Sequence, residues 1–304
     1  MKKILILIYG YVYNTAVSFN NFMTNLLNFI DTFVTVRKSK NNIPFFDLAN
    51  ELNIVVNGPS FADEFTNNPE KFTDKDILCV NTFVNTEYYE ILKPKYYAIA
   101  DSKLWNPIKS TEKLGATYEQ NLWNEIPHSL VKKTKWKQFV FLPHFAKSNP
   151  NLIKILEENA NLELVFVNMS IYKGFERLKY SFYDKQFCVP LICNVLAYAI
   201  YIAILSGYKQ IKLYGADHSL FNNLSVSSDN KVIICAKHSY NQSGDTRFLY
   251  HPDGSLINMG EYLAELSSIW KTYYELELYA KYRNCHILNC TKNSYIDAFD
   301  RVEE

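Results

Sequence analysis

The chain has 304 residues, of which 48% are hydrophobic and 21% are charged, so it can bury a large core and does not have the composition of a disordered protein. Its 32 Lys and Arg residues nearly balance its 31 Asp and Glu residues, which leaves a formal net charge of +1. This balance argues against a nucleic-acid-binding protein, because such proteins carry an excess of basic residues to neutralise phosphates. The length suits one large α/β domain with an appendage.

The six cysteines show neither a disulfide framework nor a zinc-binding pattern. No two of them form a CxxC pair, and none has histidine partners at the spacing of a zinc site. Several lie in or beside apolar runs, where a thiol behaves as a small hydrophobe. The pattern predicts a reduced, cytoplasmic protein. The cysteines are Cys79, Cys188, Cys193, Cys235, Cys285 and Cys290.

Residues 1–50 are expected to form an N-terminal extension that contains a strand or an amphipathic helix. The apolar run at residues 4–8 is too short to span a bilayer and is typical of a first strand or a membrane-surface element. Eight large apolar residues then recur at helical spacing, and Arg37, Lys38 and Lys40 follow them. Such a helix covers its own domain, a second copy of the chain, or the anionic inner membrane as a peripheral contact. The eight residues are Phe19, Phe22, Met23, Leu26, Leu27, Phe29, Ile30 and Phe33.

Six short apolar runs predict the strands of a sheet. Each run is bounded by polar or turn-forming residues, and helical patterns at residues 189–206 and 260–282 lie among them. Strands that alternate with helices favour an α/β fold in which a mostly parallel, Rossmann-like sheet is covered by helices. The runs are residues 53–56, 77–80, 96–100, 139–142, 162–167 and 211–214.

Polar side chains come directly after four of these runs. Asn57, Asn81, Asp101 and Asp217 each follow the last apolar residues of a predicted strand or its turn. Asn and Asp are common turn formers, so each residue alone indicates little. Because ligands of open α/β sheets bind outside the carboxyl ends of the strands, the four together predict one composite site.

Residues 51–304 are expected to form the main domain, with a lid at about residues 221–250. In the lid region the chain becomes polar and irregular, and a long polar excursion beside a site is typical of a lid or an acceptor-binding loop.

Several catalytic motifs do not occur in the sequence. It contains no GxxxxGK[ST] phosphate loop, no GxGxxG dinucleotide fingerprint, no DxD metal motif and no GxSxG nucleophile elbow. The turn after the first predicted strand offers a weaker signal. Gly58 lets backbone N–H groups approach a phosphate, and Ser60 can cap the following helix.

Among the six histidines, His251 is the candidate general base. It lies at the end of the polar excursion and shortly before the helix near residue 260, where its imidazole would face the predicted site. Histidine suits proton transfer near neutral pH. His238 is the competing candidate, and His218, beside Asp217, is expected to shape a nucleotide pocket.

Scattered motifs across residues 53–300 resemble those of bacterial family-42 sialyltransferases and their relatives. The catalytic histidine of that family precedes a helix that begins like Glu261-Tyr262-Leu263, and counting back from there reaches His251. The other matching motifs are Asn57-Gly58-Pro59-Ser60, Val80-Asn81-Thr82-Phe83 with Tyr88 and Tyr89, residues 96–101 with Trp105, residues 206–217, and residues 288–294 with Phe299.

The resemblance implies a metal-independent, inverting glycosyltransferase with a variant of the GT-A-like fold. Its donor would be a CMP-sugar that carries sialic acid, another nonulosonic acid or Kdo. Its acceptor would be a surface glycan, such as lipooligosaccharide or capsule. The implied partners are therefore the donor and a glycan acceptor, with no nucleic acid and no metal, and with peripheral membrane contact or homo-oligomer formation through the N-terminal extension.

The resemblance also assigns roles to residues at the predicted sheet edge. Asn57 and Gly58 would hold the phosphate or ribose of the nucleotide, and Asn81 would bind its phosphate or cytidine side. Gly215 and Asp217 would line the cytidine pocket. The remaining nucleotide-binding positions implied by the match are Pro59, Ser60, Asp101, Asn194 and His218.

Two alternative functions stay open. The Asn57-Gly58-Pro59-Ser60 turn also resembles that of archaeal-type 6-hydroxymethylpterin diphosphokinases. In addition, the chain departs from the sialyltransferase pattern, since Asp101 replaces an Asn, Ile192 an Arg and His218 an aromatic residue, and Asn194 stands near a Ser–Gly pair of the family. These departures leave open which CMP-sugar is the donor. Asp101 and Ile192 also keep open a relative that binds nucleotide, or acts as a scaffold, without catalysis.

Overall fold

The computed structural model describes residues 2–36, 43–44, 50–105, 116–238, 241–251 and 255–302. The basic residues Arg37, Lys38 and Lys40 lie outside the described residues. The elements in chain order are α1 (Lys2–Val36), β1 (Glu51–Val55), α2 (Ser60–Asn67), β2 (Asp76–Val80), α3 (Tyr88–Leu92), β3 (Tyr96–Ala98), α4 (Ala116–Lys133), β4 (Gln138–Pro143), α5 (Pro150–Glu157), β5 (Leu162–Val167), α6 (Glu176–Asp184), α7 (Val195–Leu205), β6 (Gln210–Tyr214), β7 (Leu224–Val226), β8 (Val232–His238), β9 (Asn241–Phe248), α8 (Met259–Tyr282), β10 (His286–Asn289) and β11 (Asp300–Arg301).

The core of the fold is an eight-stranded parallel sheet in the order β11-β10-β6-β1-β2-β3-β4-β5. The predicted Rossmann-like α/β fold is therefore confirmed, and each of the six predicted strands is present. These strands appear in the sequence as apolar runs because helices cover both faces of a parallel sheet. Side chains on both faces are therefore buried, which favours apolar residues at successive positions. β10 and β11 extend the sheet beyond the six strands.

Helices cover the two faces of this sheet. Val55, Ile77 and Tyr97 point to the face where α2, α4 and α5 pack, and they belong to one large buried cluster. α7 lies against β1, β2 and β3 on the opposite face, next to α8. Ten of the eleven residues of α7 are buried, so it is an internal helix.

The helix predicted at residues 189–206 is shorter in the structure. α7 begins at Val195, because the side chain of Asn194 accepts a hydrogen bond from the Ala197 N–H and caps the helix. Residues 189–194 lead into this cap. The helix predicted at residues 260–282 agrees with α8, which begins with a capping box between Asn258 and Glu261.

The region expected to be irregular, residues 221–250, forms a second sheet instead. β7, β8 and β9 pair in antiparallel fashion, with a bulge between Ala236 and His238. Ile234 and Leu224 contact Tyr262 and Leu266 of α8, which gives the small sheet an apolar base. The sequence hid these strands because β9 is a run of polar residues without alternation.

The chain divides into two compact units. The first comprises residues 1–41 and 168–191, and the second comprises residues 42–167 and 192–304. In the first unit, α1 is one continuous helix of 35 residues, so the strand considered for residues 4–8 is wrong. A short apolar run fits a helix as well as a strand, and here the helical pattern that follows continues through it. Within the described residues, none of the helices combines the length and hydrophobicity needed to cross a bilayer.

Candidate functional site

The strand order defines a switch point between β1 and β6. From β1 the chain builds the sheet towards β5, and from β6 it builds the sheet in the other direction towards β11. The carboxyl ends of β1 and β6 therefore flank the crevice where open α/β sheets bind ligands. The predicted residues at positions 57–60 follow β1, and those at positions 215–218 follow β6.

The two loops at this switch point are locked together through their backbones. The Val56 N–H donates to Tyr214 O over 2.9 Å, and the Gly58 N–H donates to Gly215 O over 3.0 Å. A Cβ on Gly58 would lie 1.9 Å from Asp217 Oδ2 and 2.1 Å from Gly215 O. Gly58 is thus required for loop packing. Its N–H, which we expected to approach a phosphate, is already bonded within the protein.

Gly215 is needed for its conformation as well as for space. Its φ of +70° lies in the left-handed region, and a Cβ there would lie 2.5 Å from Val56 O. The loop after β6 can therefore turn sharply against the loop after β1, and this brings Asp217 over the start of α2.

Asp217 occupies the amino terminus of α2. Its Oδ2 accepts a hydrogen bond of 2.8 Å from Ser60 Oγ, and the Ser60 backbone N–H donates to the same carboxylate. Burial raises the pKa of the Asp217 carboxyl above its usual value, and the hydrogen bonds from Ser60 oppose this shift. An internal carboxylate therefore stands at the amino terminus of α2, and the Ser60 side chain, which was expected to cap this helix, donates to that carboxylate instead.

Asn57 links the end of β1 to the end of β2. Its Nδ2 donates to Thr82 Oγ1 over 2.8 Å, whereas its Oδ1 is enclosed and has no hydrogen-bond partner among the described residues. A buried acceptor without a partner costs about 1–3 kcal/mol, so a ligand donor at this point would be stabilising.

Asn81 and Asp101 extend the same edge to β2 and β3. Asn81 adopts a φ of +46°, which Asn tolerates better than most residues, and its Oδ1 accepts a hydrogen bond of 3.3 Å from the Ala100 N–H. Asp101 follows Ala100 and is half-buried. The side chains predicted from the first three strand ends therefore lie along one edge of the sheet.

A hydrogen-bond chain runs from α7 through α8 to the loop after β6. Asn194 Nδ2 donates to Tyr273 Oη over 2.9 Å, and Tyr273 Oη lies 2.8 Å from His218 Nε2. The orientation of Asn194 follows from its cap, because its Oδ1 accepts from the Ala197 N–H. Tyr273, which accepts from Asn194, can therefore donate its own proton to His218 Nε2.

This chain defines the state of the His218 ring. Burial lowers the pKa of His218 to about 4, so the imidazole is neutral at physiological pH. When Nε2 accepts from Tyr273, the single ring proton is on Nδ1. That atom is out of solvent contact and has no hydrogen-bond partner in the part of the chain that the structure describes, although the residue as a whole is only half-buried. The site thus offers one neutral donor beside the acceptors of Asn57 and Asp217.

Hydrogen bonds from the C-terminal segment hold the loop after β6 in place. Thr291 Oγ1 accepts from the Ala216 N–H over 2.9 Å, Ser294 Oγ donates to Ala216 O over 2.6 Å, and the Tyr295 N–H donates to Asp217 O over 3.0 Å. Residues 291–295 therefore position the loop that carries Asp217 and His218.

His251 belongs to a different cluster. Its backbone N–H donates to Ser255 O over 2.9 Å, and its Nε2 lies 3.3 Å from Glu261 Oε2. Glu261 also accepts from the Asn258 N–H in the capping box of α8, which is the first cause of its lowered pKa. In the described part of the chain, no hydrogen bond joins His251 directly to the cluster at the switch point. His238, the competing candidate, lies in β8.

An apolar cleft of about 430 Å³ lies between α8, the turn at Phe221 and the C-terminal segment at Tyr295 and Asp297. Phe221 and Trp270 stand 5.4 Å apart at its wall, and Trp270 is 5.7 Å from the His218 ring. Tyr295 completes the aromatic wall. Aromatic walls of this kind suit the apolar face of a ring-shaped ligand.

Of the predicted residues, Gly58 bonds directly to Gly215 and Ser60 bonds directly to Asp217. Asn194 reaches His218 through Tyr273, and Asn57 bonds to Thr82, the neighbour of Asn81. Sequence reasoning missed three partners: Thr82, Tyr273 and Glu261. Tyr273 sits at helical spacing and reads as a core residue, and Glu261 reads as a helix cap. Among the described residues, no group of His, Cys, Asp and Glu side chains has the arrangement of a metal site.

Comparison with known proteins adds a likeness of fold. No protein-family model matches the chain, and no curated protein matches it. Among solved structures, it is similar to that of the MAf glycosyltransferase from Magnetospirillum magneticum AMB-1, with a TM-score of 0.46 and 12% sequence identity. The similarity covers 89% of this chain and 37% of the other, so this chain spans well under half the length of that protein. A likeness of this extent does not define a function.

Proposed function

We propose that the protein is an inverting glycosyltransferase that uses a CMP-activated sugar and binds the nucleotide at the switch point between β1 and β6. The observation that carries the proposal is the set of unused polar atoms there. Asn57 Oδ1, in the loop after β1, and His218 Nδ1, in the loop after β6, are both enclosed and without partners among the described residues. Asp217, in the same loop as His218, adds a carboxylate. Proteins seldom leave buried polar atoms unpaired, so these atoms fit a ligand that supplies the partners.

The polarity of these atoms fits a nucleotide. Asn57 Oδ1 and Asp217 accept hydrogen bonds, as the hydroxyls of a ribose or the amino group of a cytosine require. The neutral N–H of His218 donates, which suits a phosphate oxygen or a base carbonyl. Gly58 and Gly215 allow the loops to hold these groups close together, and Asn81 and Asp101 continue the edge for the rest of the donor.

The chemical step in this proposal uses His251 as general base. His251 removes the proton from an acceptor hydroxyl, whose oxygen attacks the anomeric carbon of the donor while the bond to CMP breaks and CMP leaves with its electron pair. Glu261, 3.3 Å from the imidazole, orients the ring and stabilises the positive charge that it gains. The His251–Glu261 pair thus supports the assignment of His251 as the base.

The sugar and the acceptor are proposed as classes. The donor carries sialic acid, another nonulosonic acid or Kdo, and the acceptor is a surface glycan of lipooligosaccharide or capsule type. The aromatic cleft of Phe221, Trp270 and Tyr295 is the acceptor position in this proposal, because the apolar face of a sugar ring packs on aromatic side chains.

Thermal unfolding with CMP, CDP, GTP and ATP tests the nucleotide assignment. A ligand at 100 times its Kd adds about 2.7 kcal/mol of stability, so selective binding is measurable as a rise in Tm. We expect a CMP-selective rise that is lost in Asn57→Ala and kept in Asn151→Ala, a matched change of an exposed asparagine in α5. An ATP-selective rise would indicate the pterin diphosphokinase alternative, and no rise with any nucleotide would indicate a scaffold.

A further inference from the structure

The outer side of α1 carries a row of large apolar residues that nothing in the described structure covers. They recur at helical spacing along one side of the helix, and Phe19, Leu27 and Val34 are 65%, 62% and 60% exposed. We call this row the α1 face, and it comprises Phe19, Met23, Leu27, Ile30 and Val34.

The rest of the first unit holds α1 by a different side. Thr32 is buried and exchanges hydrogen bonds with Lys173, accepting from its N–H over 2.9 Å and donating to its carbonyl over 2.7 Å. Phe29 packs on Phe175 and Phe182, with ring centroids 6.1 and 5.7 Å away. The unit therefore uses one edge of the helix for its own packing and leaves the α1 face open.

The first unit is also strongly basic. Residues 1–41 and 168–191 contain nine Lys and Arg and three Asp and Glu, which gives +6. The whole chain carries +1, so the second unit carries −5. Two features that favour an anionic bilayer surface, an uncovered apolar helix face and an excess of basic residues, thus occur in the same unit.

We infer that the first unit docks on an anionic phospholipid surface, with α1 lying in the plane of the interface and the α1 face inserted among the acyl chains. None of the described helices is suited to spanning the bilayer, which agrees with a helix that lies on it. The charge of the unit disfavours a second copy as the cover, because two units of +6 would repel each other. The inference concerns a surface apart from the switch point and does not depend on the proposed catalytic function.

Flotation of the full chain with vesicles tests the inference. We expect binding to vesicles of phosphatidylcholine with about one third phosphatidylglycerol, and weak binding to phosphatidylcholine alone. The triple variant Phe19→Asp/Leu27→Asp/Ile30→Asp should bind roughly a hundredfold more weakly, because three apolar side chains lose their burial. All three residues are exposed, so the fold should remain intact by circular dichroism.

A matched triple variant separates insertion from simple charge. Asn20→Asp/Asn21→Asp/Thr24→Asp adds the same charge to the same helix at exposed polar positions. It should keep most of its vesicle binding. Equal loss in both triple variants, or failure of the full chain to float with anionic vesicles at low salt, would overturn the inference. A concentration-dependent dimer in vesicle-free buffer that only the first variant abolishes would also overturn it, by showing that a second copy covers the face.

Discussion

The loops after β1 and β6 and the turn that carries His251 both present polar side chains, but the structure holds them to very different degrees. In the loops, backbone and side-chain hydrogen bonds join Val56, Gly58 and Ser60 to the segment after β6, and Gly58 has no room for a Cβ. Among the described residues, His251 makes one backbone hydrogen bond and one side-chain hydrogen bond of 3.3 Å, and about a third of its side chain is exposed.

This difference suits the two tasks in the proposed reaction. A preorganised site binds its ligand without paying for rearrangement, as a nucleotide pocket should. Catalytic hydrogen bonds are often long until the substrate is in place, as the contact between His251 and Glu261 is here. Substitutions in the loops should therefore alter folding and nucleotide binding, whereas a substitution at His251 should alter turnover alone.

The largest expected effect follows from replacing His251. His251→Ala should lower the rate of sugar transfer by about 10²–10⁴, because general-base help of that size is lost. The CMP-induced rise in Tm should stay as in the unchanged protein. Release of CMP in single-turnover assays measures the rate, and thermal unfolding measures the binding.

Two other histidines serve as controls for this result. His286 is a matched control, since it also stands beside a carboxylate, 2.9 Å from Asp300, and His286→Ala should retain near-normal transfer. The assignment is wrong if His251→Ala retains near-normal transfer while His238→Ala loses it.

The next effect tests how tightly the loops are locked. Gly58→Ala should destabilise the fold by about 3 kcal/mol, because the new Cβ overlaps the backbone of Gly215 and the side chain of Asp217. Gly260→Ala is the matched change, since the new Cβ in α8 would lie 3.4 Å from Asn258 Oδ1, and it should stabilise the protein by up to about 1 kcal/mol. Urea unfolding compares the two, and equal stabilities would show that the loops are looser than their contacts indicate.

The smallest expected effect is the pH dependence of stability that His218 causes. Its pKa is about 4 in the folded protein and about 6.5 in an unfolded chain, so between these values only the unfolded chain takes up the proton. The free energy of unfolding should therefore decrease as the pH is lowered, by roughly 2 kcal/mol from pH 7 to pH 5. His218→Gln removes this titration and should flatten the profile measured by urea unfolding. Parallel profiles for the two proteins would contradict a buried, neutral His218.

The sequence predicted the parallel sheet well because buried parallel strands stand out as apolar runs between turns. It failed at residues 4–8, where a short apolar run has no period of its own, and the helix was recognisable only from the longer pattern that follows. It also failed at β9, whose polar residues pair with β8 through their backbones and leave no pattern in the side chains.

The candidate site was predictable where its residues follow strands directly, as Asn57 and Asp217 do, because the carboxyl edge of the sheet brings such positions together. Tyr273 could not be found in this way. It reaches His218 from α8, 55 residues further along the chain, and only the packing of α8 beside α7 brings it to the loop. The packing requirement at Gly58 could not be predicted either, because the Asp217 side chain and the Gly215 carbonyl that exclude a Cβ there come from a loop more than 150 residues later in the chain.

The composition of the first unit has a consequence for its synthesis. Thr32 in α1 bonds to Lys173, which lies 141 residues later in the chain. At about 5–20 residues per second, the ribosome makes Lys173 roughly 7–28 s after Thr32. During that interval α1 has left the ribosome or its tunnel without the segment that will hold its inner edge. The nascent helix can therefore contact other molecules, such as a chaperone or a bilayer, before it can contact the later segment of its own unit.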